Sequence, residues 1–168
     1  MLILVRHAHA GDKRLWPFGD VDRPLSSRGQ QQAEGLARQL GGLPVTRLVT
    51  SPYRRCRQTL APLSEVLDLE PELSALLAPD AGLDEAEEML LDTGADGSLF
   101  CTHGELLNGL LRRWRADARV EVPAAPDTTA KGGSWIVERS GGRAVAHYLK
   151  PLRVVDLRGA EGAQAAAQ

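Results

Sequence analysis

Leu2-Ile3-Leu4-Val5-Arg6-His7-Ala8 is the stretch that decides the fold. Four consecutive aliphatic residues are typical of a strand that is buried on both faces inside a parallel sheet. Arg6 and His7 then lie at the carboxyl end of that strand. Because ligands of open α/β sheets bind beyond this end of the strands, the position favours a role in chemistry. The alternative is a histidine with a purely structural role, and the dipeptide alone does not separate the two.

Two later stretches repeat this arrangement of a short apolar strand followed by a helix. Residues 47–50 are predicted to form a strand, and Ser51-Pro52 directly after it is a common start of a helix, with serine as the cap and proline in the first turn. Residues 98–102 are predicted to form another buried strand, which ends at His103 before a leucine-rich helix. Because parallel strands end at the same edge of a sheet, we expect the three junctions to lie together.

The rest of the chain predicts a mixed α/β domain with helices between the strands. The further predicted elements are a helix from the cap Ser26 to Leu40, a third strand at 70–73, an acidic helix at 84–91, and a hairpin of 134–138 with 143–149. Strands that alternate with helices predict a three-layer α/β/α sandwich around a mostly parallel sheet. Residues 1–150 are expected to form one domain, and residues 151–168, rich in Ala, Gly and Gln, a flexible tail.

Composition excludes several classes of protein. Among 168 residues, 20 basic and 22 acidic side chains leave a net charge of −2, which argues against binding to nucleic acid or to an anionic membrane. Cys56 and Cys101 do not form a C-x-x-C pair, so no thiol metal site or redox motif is predicted. The chain shows neither a signal peptide nor a membrane span. We therefore expect a cytoplasmic protein.

Arg54, Arg55 and Arg57 form a group near the start of the helix that follows residue 50. Cations are disfavoured at the positive end of a helix unless an anion is present. The group therefore favours a bound phosphate or carboxylate, against the alternative of a solvated charged face. Guanidinium groups hold phosphoryl oxygens in forked hydrogen bonds, whereas they would repel a metal ion. We predict an oxyanion pocket with no metal and no other cofactor.

Four short motifs follow one another between residues 2 and 111. They are Leu4-Val5-Arg6-His7-Ala8, Arg23-Pro24-Leu25-Ser26 with Gly29, Gln32 and Ala33, Ser51-Pro52 with Arg55, Cys56, Gln58 and Thr59, and Thr102-His103-Gly104-Glu105. In this order and spacing they resemble the histidine phosphatase (phosphoglycerate mutase-like) superfamily. Lys131-Gly132 followed by Ser134-Trp135 is similar to the closing strands of its small members, such as the phosphohistidine phosphatases and the phosphatase halves of Nudix fusions. The resemblance implies the phosphoglycerate mutase-like fold.

The resemblance also implies a mechanism. His7 would attack phosphorus and become phosphohistidine, which water then hydrolyses. Arg6, Arg55 and His103 would surround the phosphoryl oxygens, each donor contributing roughly 3 kcal/mol to the transition state. Ser51 and Gly104 match the same motifs and are expected to help bind the substrate. Arg54 and Arg57 are expected at the surface. For His9 two positions are open, one lining the pocket and one exposed in the loop after His7, and we favour the exposed one.

The acid that protonates the leaving oxygen is less clearly marked. Many family members carry a glutamate after the third strand, where this chain offers Asp80, Asp84 and Glu85 without a clear match. Asp20 and Asp22 lie in the loop beyond His7. We favour Asp22 because it is next to the Arg23-Pro24-Leu25 motif, and the others remain open.

The sequence thus predicts a metal-independent phosphatase that acts on a phosphorylated small molecule or on a phosphoprotein. A mutase is the first alternative. Ala8 replaces the glycine of the better-known Arg-His-Gly version, and no long insertion is present to enclose the site, so both features favour hydrolysis over a mutase. A phosphate-binding regulatory domain with little turnover is the second alternative.

Overall fold

The computed structural model describes residues 1–152, and its centre is a six-stranded sheet. The strands are β1 (Leu2–Arg6), β2 (Arg47–Thr50), β3 (Glu72–Leu73), β4 (Ser98–Thr102), β5 (Ser134–Ser140) and β6 (Arg143–Leu149). Their spatial order is β3-β2-β4-β1-β5-β6. The first four strands in this order, β3, β2, β4 and β1, are parallel to one another. The β5–β6 hairpin adds antiparallel pairs at one side. The predicted mostly parallel sheet is confirmed.

Helices cover both faces of the sheet. They are α1 (Ser27–Leu40), α2 (Arg54–Leu67), α3 (Leu83–Leu91) and α4 (Gly104–Asp117). Alternate residues of β1 point into different layers: Leu2 and Leu4 pack with α3 and α4, and Ile3 and Val5 pack with α1 and α2. All four side chains are fully buried, each contributing roughly 2 kcal/mol of hydrophobic stabilisation. Each of the two hydrophobic cores, one on either face of the sheet, therefore takes two of these four aliphatic side chains. The predicted three-layer sandwich is confirmed.

The register of the central strands brings the three junctions to one edge. Arg6 lies opposite Thr102 across β1 and β4, so the two histidines that follow these strands are neighbours. The backbone N–H of His7 donates to Thr102 O at 2.9 Å. On the other side of β4, the N–H of Ser51 donates to Cys101 O at 3.0 Å. The first residue beyond each parallel strand is thus fixed by the ladder itself.

The helix α1 begins where the sequence predicts. Ser26 Oγ accepts a hydrogen bond from the Gly29 N–H, which is the expected N-cap contact. Gly29 lies so close to the loop after β1 that a Cβ there would be 2.0 Å from His9 O. Only glycine fits this approach, and it sets the start of α1 directly against the loop that carries the nucleophile candidate.

Some boundaries differ from the prediction. Strand β3 is only two residues long, because it pairs with the end of β2 alone at the sheet edge. Helix α2 begins at Arg54 with Tyr53 as its N-cap, so Ser51 does not cap it and Pro52 precedes it. Of the predicted tail, Pro151 and Leu152 are described and partly buried, and residues 153–168 lie outside the described part of the chain. Within residues 1–152, no helix combines the length and apolar character needed to cross a bilayer.

Candidate active site

A cavity of about 650 Å³ opens at the carboxyl edge of the sheet. This volume is in the usual range for a small-molecule site. Its lining residues are mostly charged: Arg6, His7, His9, Gly11, Asp12, Lys13, Asp20, Arg23, Arg55, Pro79, Glu105 and Lys131. Five of them are arginines or lysines and three are carboxylates, so the cavity favours an anionic ligand.

His7 is held as a neutral ring with one nitrogen available. Its Nδ1 lies 2.8 Å from Ala8 O, and because a carbonyl only accepts, Nδ1 carries the proton. Nε2 therefore has a free electron pair, and Arg55 Nε donates to it at 3.3 Å. Burial lowers the pKa of His7 to about 3, further lowered by the charges of Arg55, Arg6 and Lys131 and opposed by the bond to Ala8. The ring thus remains neutral at neutral pH, with an electron pair on Nε2.

His103 is fully buried next to His7, with the ring centroids 5.2 Å apart. Arg55 Nη2 donates to its Nδ1 at 3.2 Å, which assigns the proton to Nε2. That nitrogen lies 2.8 Å from Ser51 Oγ. Burial lowers the pKa of His103 to about 2, with further lowering by His7 and Arg55. Ser51 was predicted to contact the substrate, but its hydroxyl instead orients His103, and it does not line the cavity.

Arg55 connects all parts of the site. Besides the two histidines, its guanidinium donates to the backbone O of Asp20 at 2.8 Å and to Asp20 Oδ2 at 3.1 Å. It lies over the Tyr53 ring, 4.6 Å from the centroid, and is almost completely buried. Arg54 and Arg57 are exposed, as predicted. Of the three grouped arginines, only Arg55 therefore belongs to the site.

Arg6 lies against the start of α4. Its Nη1 donates to Thr129 O at 2.5 Å, whereas its buried Nε has no hydrogen-bond partner among the described residues. A Cβ on Gly104 would be 2.6–2.7 Å from three atoms of this guanidinium. Gly104 was predicted to bind substrate; it lies behind Arg6, does not line the cavity, and provides the space that the guanidinium occupies.

The carboxylate that lies at the site is Asp20, not the favoured Asp22. Residues 20–22 form a single 3-10 turn, in which consecutive side chains point in different directions. Asp20 faces Arg55 and also pairs with Arg23 at 2.8 Å, whereas Asp22 is exposed and does not line the cavity. Burial alone would raise the pKa of Asp20, but the bond to Arg23 and the positive charges around it outweigh burial and lower it.

The other acid candidates also lie away from the nucleophile. Asp84 pairs with Arg113 at 2.6 Å, and Asp80 and Glu85 are exposed; none of the three lines the cavity. Glu105, in the first turn of α4, does line it. The lining carboxylates are thus Asp12, Asp20 and Glu105.

Several motif residues hold the loop after β1 rather than contact a ligand. Thr59 Oγ1 accepts from the Ala8 N–H at 3.0 Å, and Gln58 Oε1 accepts from the Leu25 N–H at 2.9 Å. Gln32 accepts from the His9 N–H and donates to Lys131 O, and so joins two segments that border the cavity. Arg23 donates to Ala10 O at 2.6 Å. Together these bonds preorganise the backbone around His7.

Sequence reasoning did not place Asp12, Lys13, Glu105 or Lys131 at the cavity. His9, for which an exposed position was favoured over one in the pocket, is partly buried and lines the cavity. Lys13 and Lys131 come from loops far apart in the chain, and no local pattern brings them to one place.

The family model of the histidine phosphatase superfamily (branch 1) matches residues 2–89, which include β1, α1, β2 and α2. The chain belongs to the histidine phosphatase superfamily. The chain is 35% identical over 158 residues to the 8-oxo-(d)GTP phosphatase of Mycolicibacterium smegmatis. The match covers 89% of this chain and 48% of the relative, so the chain spans about half of that protein's length.

Solved structures show the same fold. The protein histidine phosphatase SixA complexed with tungstate superposes with a TM-score of 0.69 at 22% identity, covering 89% of this chain and 96% of that one. YhfR of Bacillus stearothermophilus gives a TM-score of 0.69 at 18% identity, covering 90% and 97%. The predicted phosphoglycerate mutase-like architecture is confirmed by these likenesses.

Proposed function

We propose that this histidine phosphatase hydrolyses a phosphorylated substrate through a covalent phosphohistidine on His7, without a metal. The observation that carries the proposal is the state of the His7 ring. Its Nδ1–H is fixed on Ala8 O, and its Nε2 electron pair lies beside the Arg55 guanidinium in an arginine-rich cavity. A neutral nucleophile with preorganised cations next to it meets the two main requirements of phosphoryl transfer.

In the first step, Nε2 of His7 forms a bond to phosphorus. The bond from phosphorus to the leaving oxygen breaks, and its electron pair stays on that oxygen. Arg55 Nε–H moves from His7 Nε2 to a phosphoryl oxygen as Nε2 attacks, and Arg6, which also lines the cavity, is positioned to donate to another. Because Nδ1 keeps its proton on Ala8 O, the phosphorylated ring is an imidazolium, which is a good leaving group for the next step.

In the second step, water attacks phosphorus and the electron pair of the P–N bond returns to Nε2. Asp20 is proposed to accept the proton of this water, since its neighbours lower its pKa and keep it ionised. His103 is proposed to assist after the phosphoryl group enters, because a dianion next to a buried imidazole raises its pKa and makes its Nδ1 a donor. Until then His103 positions Arg55.

The names of the similar proteins differ in their substrates. The M. smegmatis relative is named for 8-oxo-(d)GTP, and the tungstate complex is that of a protein histidine phosphatase. The chemistry that they share is a terminal phosphoryl group, and that group is what we propose this chain removes, from a small molecule or a phosphoprotein. We also propose a cytoplasmic location, which suits the two free cysteines, Cys56 and Cys101.

The test is hydrolysis of p-nitrophenyl phosphate in the presence of a chelator. We expect turnover by the wild type and a loss of at least 1000-fold in His7→Ala, because the variant has no nucleophile. His147→Ala, which removes an exposed histidine of β6, is the matched control and should keep full activity. Equal rates for wild type and His7→Ala would contradict the proposal.

The same preparation separates the alternatives. A regulatory phosphate-binding domain would bind orthophosphate without any turnover. A mutase would convert a phosphorylated substrate into its isomer without net release of phosphate. We expect net release, because the cavity is open on one side and admits water to the phosphohistidine.

A further inference from the structure

The cations of the cavity extend beyond the proposed phosphoryl site. Arg6, Arg55 and the two buried histidines surround the proposed phosphoryl site, and Lys13 lies 3.7 Å from Asp20. Lys131 also lines the cavity, but among residues 1–152 its ammonium has no hydrogen bond and no ion pair. Asp12 attracts it only at a distance, so Lys131 is a cation near His7 with which no described carboxylate forms an ion pair.

The surroundings of Lys131 are positive. Burial lowers its pKa, and the like charges of Arg6, Arg23, Arg28 and Arg55 lower it further. Like-charge repulsion makes a partly buried ammonium among four guanidiniums unfavourable on its own. A bound anion would reverse this repulsion.

The backbone fixes Lys131 relative to His7. Gly132 N–H is shared between Arg6 O at 3.1 Å and His7 O at 3.2 Å, and Gly132 adopts a φ of +78° that favours glycine. Lys131 O accepts from Gln32 Nε2 at 3.0 Å. The turn is thus tied to the strand that carries the nucleophile, and the lysine stem begins from a rigid position.

His9 adds a neutral donor on the same side. Its Nδ1 lies 2.7 Å from Ser26 Oγ, which is also 3.1 Å from His9 O, so the single hydroxyl proton of Ser26 can go to either acceptor. Nε2 has no partner among the described residues, and the ring lines the cavity. An anion at Nε2 would select the ring form with its proton on Nε2, in which Nδ1 accepts from Ser26 Oγ. The site therefore combines an unpaired ammonium with an unpartnered ring nitrogen, next to the phosphoryl site but separate from its arginines.

We propose that Lys131 and His9 form a second anion subsite that holds the adjoining phosphate of a substrate with two linked phosphates, a phosphoanhydride. The inference rests on the proposed function and names its substrate class. The ion-paired Asp20 supports an anhydride over an alkyl ester, because an ionised carboxylate cannot protonate an alkoxide. A phosphate leaving group needs no such proton.

The reaction balances without a further reactant. His7 Nε2 bonds to the terminal phosphorus, the bond from that phosphorus to the bridging oxygen breaks, and the electron pair stays on this oxygen. The bridging oxygen becomes a terminal oxygen of the shortened phosphate, held by Lys131 and His9. Water then releases orthophosphate from His7 as described above.

The experiment compares pyrophosphate and orthophosphate as competitive inhibitors of p-nitrophenyl phosphate hydrolysis, at constant ionic strength and with chelator present. Wild type is expected to bind pyrophosphate at least tenfold more tightly. Lys131→Gln should reduce this preference about tenfold, the usual cost of one charge-assisted hydrogen bond. Arg57→Gln, which removes an exposed cation of α2, is the control and should leave the preference unchanged.

A preference that is equal in wild type and Lys131→Gln would overturn the proposal. Phosphonoacetate, in which a carboxylate replaces the second phosphate, is expected to inhibit more weakly than pyrophosphate; equal inhibition would contradict the assignment to linked phosphates. If p-nitrophenyl phosphate is not hydrolysed at all, calorimetric titration of pyrophosphate and orthophosphate measures the same ratio. Absence of hydrolysis would refute the proposed phosphatase activity, and the titration would still show whether Lys131 belongs to a second anion subsite.

Discussion

Substitution of Gly104 by alanine is expected to disable the site through Arg6. The new Cβ would be 2.6–2.7 Å from Cζ, Nε and Nη2 of that guanidinium, well inside van der Waals contact. The backbone of α4 is held by its helix, so Arg6 must move. Loss of one preorganised oxyanion donor costs 10²–10³ in kcat, and we expect about 100-fold. Stability should change by no more than about 1 kcal/mol, since alanine favours a helix over glycine by a similar amount.

Gly109→Ala is the matched control in the same helix. Its Cβ would meet only Leu83 Cδ1, at 3.2 Å, which is the flexible end of a side chain distant from the cavity, so activity should be retained. A double-mutant cycle with Arg6→Gln then tests the route of the effect. In the Arg6→Gln background, Gly104→Ala should cost less than threefold in kcat, measured with p-nitrophenyl phosphate. A 100-fold loss in both backgrounds, or full activity of Gly104→Ala, would refute the reasoning.

Three further predictions follow from the charges and hydrogen bonds of the site. Asp20→Asn should slow hydrolysis at least tenfold and Asp22→Asn less than twofold, in steady-state assays; the reverse order would restore Asp22 as the functional carboxylate. The pKa values of His7 and His103, about 3 and 2, lie below the usual 6.5, so the unfolded chain gains protons first as the pH falls. Stability should therefore decrease by about 2 kcal/mol for each ring between pH 7 and pH 5 in urea unfolding, and a flat profile would contradict their burial as neutral rings. Ser51→Ala should cost about 1 kcal/mol in unfolding free energy, because the His103 Nε2–H keeps only the weak acceptor Cys56 Sγ at 3.5 Å, whereas Ser27→Ala, exposed at the start of α1, should change little.

The sequence predicted the elements whose patterns are local. The run Leu2 to Val5 has to fill two cores, and four aliphatic residues in succession express that requirement directly. The nearness of His7 and His103 follows from the topology, because both come directly after neighbouring parallel strands. The sequence alone therefore predicts the main architecture and the clustering of four side chains, Arg6, His7, Arg55 and His103.

What the sequence did not predict depends on side-chain direction and on distant loops. Asp20 and Asp22 are equivalent in the sequence, and only the 3-10 turn decides which of them faces Arg55. Ser51 follows a strand and precedes a proline, as a helix cap often does, but the buried Nε2–H of His103 uses its hydroxyl. Lys131 reaches the cavity through a turn that bonds to the backbone of β1, a contact across more than 120 residues.

The most direct test of the central claim is the identification of the phosphorylated residue. Enzyme quenched in alkali within the first turnover of a labelled phosphoanhydride or aryl phosphate would be digested and analysed by mass spectrometry. We predict one acid-labile, base-stable phosphoryl group on Nε2 of His7, absent from His7→Ala and present in His103→Gln. A label on any other side chain, or a burst of product with no phosphorylated enzyme, would contradict the account.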